Sequence, residues 1–274
     1  MKSRKGITMK TWTIADGITA IRCPAYISRP GSWGYVLSYL VCGEEQTLLL
    51  DTGYGNFDLK SAVEIMTPLP LVVVNSHLHP DHSMGNGQFD KVLVGEHEYD
   101  REEGFFFPAE ALEFPLHPSV LAGGGYRFDF LKHGDEINLG NRTLTVLEIP
   151  GHTEGSIALF DAKSKLLLGG DSILKRVLYA AGVPFSQYAA ALERVKTVEP
   201  AAILSSHWPQ PLDVGQIDRL LMLVRNFDPA LGKGTEGDNL NASPMRVISQ
   251  GRDISDPDFA AIVFSMDQVE QIMQ

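Results

Sequence analysis

Apolar and polar positions alternate in blocks along the chain, and the blocks change period in a regular order. Residues 10–23 alternate as a strand does, break at Asp16-Gly17 and resume at Ile18. Tyr35 to Cys42 and Thr47 to Leu50 predict a hairpin around Gly43-Glu44-Glu45. Asn56 to Met66 carries helical spacing, with Asn56 or Asp58 as cap, and Pro68 and Pro70 stop it. Leu71 to Val74 is a short β-branched run, predicted as a buried strand, and Lys91 to Val94 is another. Glu96 to Glu103 predicts a charged helix. Strands follow at Leu144 to Ile149, Ile157 to Phe160, Leu166 to Leu168 and Ala201 to Leu204. Helices are predicted over Ser186 to Val198 and Ile217 to Phe227. The chain is then polar to Ser243, and Met245 to Ser249 with Ala260 to Phe264 predicts an edge hairpin, the C-terminal feature of residues 244–264.

Residues 104–130 fit neither period. Seven aromatic residues, from Phe105 to Phe130, crowd around prolines and Gly123-Gly124-Gly125. An irregular segment of this length is usually functional, so it is expected to be a lid or a packing surface. A homodimer is one state such a surface allows. No linker-like composition interrupts the pattern, and one domain over residues 1–274 is expected.

An internal echo organises the rest. Strand Leu48 to Leu50 ends in Asp51-Thr52-Gly53, a helix follows, and strand Val72 to Val74 ends in Asn75-Ser76-His77. Later, strand Leu166 to Leu168 ends in Gly169-Gly170-Asp171, a helix follows, and strand Ile203-Leu204 ends in Ser205-Ser206-His207. Each half delivers polar side chains from strand ends, where α/β sheets tend to place their chemistry.

Those strand ends hold His77, His79, Asp81, His82, His152, Asp171 and His207. Imidazole and carboxylate are ligands for zinc and similar divalent ions. Seven are more than one tetrahedral ion uses. They suit two ions about 3.5–4 Å apart that share a carboxylate and a hydroxide. His77 and His79, two apart in extended chain, point to one side, and Pro80 keeps His79 extended.

In five places the chain resembles the metallo-β-lactamase superfamily. The places are His77-Leu78-His79-Pro80-Asp81-His82, Gly151-His152-Thr153, Gly170-Asp171 and His207, in the family's order along the chain, and the Asp51-Thr52-Gly53 turn. The resemblance covers roughly residues 12–227. It implies an α/β fold, an αβ/βα sandwich of two mixed β-sheets with helices on the outer faces. It implies that His77, His79 and His152 hold a first metal, that Asp81, His82 and His207 hold a second, and that Asp171 bridges them. Asp51 is expected to accept a hydrogen bond that orients a ligand imidazole, and Asp81 to act in catalysis on the attacking hydroxide. The cofactors expected are two divalent ions, zinc first, with iron or manganese as alternatives.

The resemblance further implies hydrolysis of a small carbonyl substrate: an ester, lactone, thioester or amide. The alternatives are a phosphodiesterase or nuclease and a di-iron redox protein; members of the latter kind often carry glutamate where this chain has His79. Without a cysteine among the ligands, the site looks more like the thioesterase (glyoxalase II), lactonase and phosphodiesterase branches. Glyoxalase II-like enzymes usually follow the bridging aspartate with glycine-cysteine-glycine-arginine, whereas this chain has Ser172-Ile173-Leu174-Lys175-Arg176. Trp33, Tyr54, Tyr179, Phe185 and Trp208 lie near the ligand loops and are expected to line the substrate cleft, with Lys175 and Arg176 as candidate anion contacts. His97, His117 and His133 lack neighbouring ligands and are expected to be ordinary residues.

Composition narrows the partners. The 274 residues are 44% hydrophobic and 21% charged, a globular balance, and the net charge of −11 disfavours nucleic acid. Two cysteines make no disulfide framework. Lys2, Arg4 and Lys5 imitate the start of a signal peptide, but no apolar segment follows, and none is long enough to span a bilayer. A small-molecule substrate, a cytoplasmic location and no membrane partner are expected. Met9 is an alternative start.

Overall fold

A computed structural model describes residues 9–24, 35–98, 116–123, 125–179, 183–240 and 243–274. Its contacts group the chain into two compact units. Unit 1 takes residues 1–94, 102–130 and 138–142; unit 2 takes 95–101, 131–137 and 143–274.

In unit 1 the described strands form a sheet in the order β1 (Lys10–Ala15), β2 (Ile18–Pro24), β3 (Tyr35–Cys42), β4 (Thr47–Leu50), β5 (Leu71–Val74), β6 (Lys91–Gly95) and β7 (Arg127–Leu131). The first four are antiparallel, with tight turns linking β1 to β2 and β3 to β4, whereas β4 and β5 are parallel. A parallel pair needs a crossover, and α1 (Leu59–Met66) supplies it. This helix starts after Asp58, whose carboxylate accepts the Ser61 N–H at 3.0 Å, so the cap is Asp58 rather than Asn56. It buries Leu59 and Val63 in a cluster with Ile21, Leu49 and Val73. Every residue of β4 is buried, which is why its apolar run does not alternate.

The irregular segment divides. Residues 99–115 lie outside the described residues. His117 caps α3 (Pro118–Ala122), its Nδ1 accepting the Ser119 N–H, and Arg127 onward is strand. Residues 127–130 therefore belong to the sheet rather than to a lid, with the rings of Tyr126 and Phe128 in edge contact at 5.3 Å. The helix expected from Glu96 is absent at its start, where residues 96–98 form a turn.

Unit 2 contains two described sheets. One runs β13 (Ala202–Ser205), β11 (Leu166–Gly170), β10 (Ile157–Asp161), β9 (Thr143–Glu148), β8 (Glu136–Asn138). The other runs β12 (Arg176–Tyr179), β16 (Ala260–Ser265), β15 (Ser243–Gln250), β14 (Lys233–Leu240). The expected C-terminal hairpin pairs antiparallel, Val247 opposite Val263, but both strands are interior to their sheet instead of at its edge. Its neighbours β12 and β14 have no signal in the hydrophobic pattern. The helices α4 (Phe185–Thr197) and α5 (Gly215–Arg225) bury Tyr188, Leu192 and Val195, and Ile217, Leu220 and Leu221, in one core with Ile203 and Phe264. Among the described residues no helix is long and apolar enough to cross a membrane.

Candidate metal centre

In unit 1 the parallel register sets Leu50 opposite Val74, so the chain leaves β4 and β5 side by side at Asp51 and Asn75. Asp51 has φ +63°, a left-handed conformation uncommon outside glycine. That backbone turns its carboxylate onto the segment after β5. Oδ1 accepts the Ser76 N–H at 2.8 Å, and Oδ2 accepts the Ser76 hydroxyl at 2.9 Å and lies 2.8 Å from His82 Nδ1. The site is fully buried, where charged hydrogen bonds of this kind contribute about 1.5–3 kcal/mol each.

The network fixes imidazole tautomers. Ser76 donates its one proton to Asp51, so at 3.1 Å its oxygen accepts Nδ1–H of His77. His82 likewise donates Nδ1–H to Asp51. In both rings Nε2 is then the lone-pair nitrogen, the atom a metal takes. His79 is extended at φ −61° and ψ 150°, as Pro80 requires, and stands at the cap of α2 (Pro80–Ser83). That single turn carries Asp81 and His82. The ring of His77 lies 4.7 Å from that of His79 and 4.0 Å from that of His82, centre to centre. Asp81 Oδ2 is 3.5 Å from His82 Nε2.

Backbone contacts hold the turn in place. The His82 carbonyl accepts the Thr52 N–H at 2.8 Å and the Asn75 side-chain amide at 3.0 Å. Gly85 is required beside it, since a Cβ there would stand 2.2 Å from the Thr52 oxygen.

In unit 2 the same construction recurs. β11 and β13 are parallel, with Leu168 opposite Leu204, and release Asp171 and His207 at adjacent ends. His207 Nε2 is 3.2 Å from Asp171 Oδ2, and His152 Nε2 is 3.7 Å from that same oxygen. His152 Nδ1 donates to the Leu178 carbonyl at 2.5 Å, which again makes Nε2 the lone-pair nitrogen. A lone pair turned toward a buried carboxylate oxygen is an arrangement that a cation suits. Gly151 lies on the Tyr188 ring, where a Cβ would come within 2.6 Å.

The expected residues therefore gather in two groups: Asp51, His77, His79, Asp81 and His82 in unit 1, and His152, Asp171 and His207 in unit 2. The expected cleft residues do not behave alike. Trp33 lies outside the described residues. Tyr54 is half-buried against the core of unit 1 and Trp208 against that of unit 2. Tyr179 and Phe185 are core residues, their rings 4.7 Å apart and the Tyr179 hydroxyl donated to the Val183 carbonyl, which corrects the expectation that they line a cleft. Lys175 is buried, donates to the carbonyls of Ile254 and Asp256, and stands over the Trp208 ring. It is a structural cation rather than an anion contact. His97 forms a further group with Glu96 and Glu148, ligand atoms within 4.8 Å, but Glu96 is already paired with Lys132 and His97 is exposed.

Two participants were missed from sequence. Ser76 stands next to His77, and its role needs only the observation that a hydroxyl beside a ligand histidine can accept its Nδ1–H. The Leu178 carbonyl has no sequence signal, because any residue supplies one.

Histidines and aspartates gathered beyond the ends of strands, with tautomers set by buried acceptors, form clusters that could hold metal ions in a protein of the α/β class. The chain belongs to the metallo-beta-lactamase superfamily, whose family model matches residues 31–207. It is 29% identical to the acyl-coenzyme A thioesterase MBLAC2 of Homo sapiens over 78% of this chain and 85% of that protein. It is 35% identical to the hydroxyacylglutathione hydrolase of Bdellovibrio bacteriovorus, over 27% of this chain and 30% of that protein. Among solved structures it resembles the metallo-beta-lactamase family protein TTHA1429 of Thermus thermophilus, with a TM-score of 0.59 and 21% identity, covering 78% of this chain and 81% of that one. Mixed sheets with helices are common to both, and the fold class is the α/β sandwich.

Proposed function

We propose that the chain is a dinuclear, zinc-dependent hydrolase of thioesters, with acyl-coenzyme A thioesters as the substrate class. In this reading His77, His79 and His152 hold one ion, Asp81, His82 and His207 hold the other, and Asp171 is shared. The observation that carries it is the commitment of three Nδ1–H groups, on His77 to Ser76, on His82 to Asp51 and on His152 to Leu178. Three neutral imidazoles presenting Nε2, with carboxylates beside them, fit zinc's preference for nitrogen and oxygen ligands.

When bound, a pair of divalent ions supplies a water with pKa near 7 and polarises the substrate carbonyl. The protein's own contribution is orientation and proton handling. Asp81 accepts the proton of the attacking water in this reading, a role supported by its position at the first turn of α2 and its one-fifth exposure. The water oxygen bonds to the thioester carbon and the carbon–sulfur bond breaks, leaving a carboxylic acid and a thiol. A thiol of pKa about 8.5 departs as thiolate without a dedicated acid. The substrate class is supported by the extent of the similarity to the thioesterase, and by Ser172-Ile173-Leu174 standing where glutathione thioester hydrolases usually carry a cysteine.

The test is a substrate panel on metal-replete protein: short and long acyl-coenzyme A, a hydroxyacylglutathione, a lactone and bis-nitrophenyl phosphate. Acyl-coenzyme A turnover should vanish with a chelator and return with zinc, at two zinc per chain. Cleavage of the phosphodiester without thioester turnover, or turnover that survives chelation, would overturn the proposal, as would iron in place of zinc.

A further inference from the structure

We infer that Glu98 is a positioning residue for His152, acting through the loop of residues 150–156. The inference rests on the reading of His152 as a metal ligand. Glu98 lies more than fifty positions earlier in the chain, in the turn that follows β6. Its carboxylate oxygen Oε2 accepts two hydrogen bonds from the loop, the Thr153 hydroxyl at 2.6 Å and the Gly155 N–H at 3.1 Å. These donors stand one and three residues beyond His152.

The two segments meet backbone to backbone. A Cβ on Gly155 would come within 2.0 Å of the Glu98 nitrogen, and one on Gly95 within 2.3 Å of the Gly155 oxygen. Only glycine permits such an approach at both positions, and it is what brings Glu98 within reach. Because Thr153 gives its proton to Glu98, its oxygen accepts from Ser156 Oγ at 2.6 Å, and Ser156 Oγ in turn accepts the Thr153 N–H at 3.2 Å. One carboxylate thus orders a chain of hydroxyls inside the loop.

Other supports of the loop include two backbone bonds, the Gly151 N–H to the Thr153 carbonyl at 3.0 Å and the Ile149 N–H to the Ser156 carbonyl at 2.8 Å. Tyr188 packs on Gly151, and the Leu178 carbonyl takes Nδ1–H of His152. These fix the ring and the loop's first residues. Glu98 fixes the residues after His152, so that the backbone carrying the imidazole is held on both sides. Both bonds converge on one oxygen, so the function needs an acceptor and not a charge. A carboxamide oxygen at the same position meets the need.

The test measures Zn2+ affinity of the full chain by competition with a chromophoric chelator, and the visible spectrum of the Co2+-substituted protein. Glu98→Ala should weaken one of two bound ions by about 10–100-fold, the cost typical of losing a group that orients a ligand. The other ion should be held as in the wild type, and the cobalt bands should change. Glu98→Gln should restore both affinity and spectrum. If Glu98→Ala does not fold, Thr153→Val, which removes only the hydroxyl donor, carries the same expectation for the single ion. A wild-type chain that binds no metal sinks the hydrolase reading itself. A wild type with two ions and a Glu98→Ala variant indistinguishable from it sinks this inference alone. A Glu98→Gln variant as weak as Glu98→Ala also overturns it, since charge would then be the requirement.

Discussion

Asp51 Oδ2 lies 2.8 Å from His82 Nδ1, and the same carboxylate holds Ser76, whose hydroxyl accepts from His77. One buried aspartate therefore sets the tautomer of two imidazoles, one directly and one through a serine. Asp51→Asn is expected to fold, because asparagine tolerates the left-handed backbone at φ +63°. It should bind zinc about 10–100-fold more weakly, measured by chelator competition. Unchanged affinity would remove Asp51 from this role.

Asp171 has the corresponding strand-end position in unit 2, but its oxygen faces His207 and His152 at 3.2 and 3.7 Å rather than a serine. Asp171→Ala should lower both metal content, read by elemental analysis, and thioester hydrolysis. Two tightly held ions in that variant would sink the proposal that Asp171 is a shared ligand.

Helix α1 offers a stability test remote from these groups. The Ser61 N–H and hydroxyl donate to Asp58 and hold its carboxyl below the usual range, the backbone bond first. A lowered carboxyl stabilises the fold above its unfolded pKa of about 3.9, and the contribution disappears as pH falls through the folded value. Asp58→Ala should cost about 1 kcal/mol at neutral pH. The difference in thermal midpoint from wild type should shrink as the pH is lowered below 4, followed by circular dichroism.

The two cysteines should separate in reactivity. Burial pushes the Cys23 thiol up to about 12, whereas Cys42 is partly exposed. The thiolate is the reactive form, and at pH 8 a thiol of pKa about 12 is ionised in about one molecule in ten thousand. Iodoacetamide on the folded protein should label Cys42, and Cys23 only after denaturation, as read by peptide mass spectrometry. Equal labelling would mean that Cys23 is not enclosed as described.

Much of this arrangement is legible in the chain because the relevant signals are local. Asp51 and Asp171 follow apolar runs too short to be helices, and each run proves to be a parallel strand with its polar residue at the C-terminal end. The stripe of Tyr188, Ala191, Leu192 and Val195 is buried as its spacing requires. What escaped depends on pairing at a distance. β14 (Lys233–Leu240) is polar and glycine-bearing, and it is a strand because β15 lies beside it. β12 is four residues long and pairs with β16, more than eighty positions later. Its position beside the ligand loops made Tyr179 look like a recognition residue, whereas the strand turns that ring into the core. The aromatic residues 126–130 resemble a lid for the same reason: their alternation is a strand's, masked by the glycines and prolines before it.

The acceptors that hold His82 and His152 differ in kind. His82 depends on a side chain, so a single codon change at position 51 removes its partner. His152 depends on the main-chain carbonyl of residue 178, which every amino acid carries. Substitution at 178 leaves that acceptor present, and only a shift of the strand itself can withdraw it. The two halves of the ligand set are therefore unequally exposed to mutation. Drift or deliberate tuning of how His82 is oriented has a direct handle in a side chain, and for His152 only an indirect one through the loop and the strand that frame it.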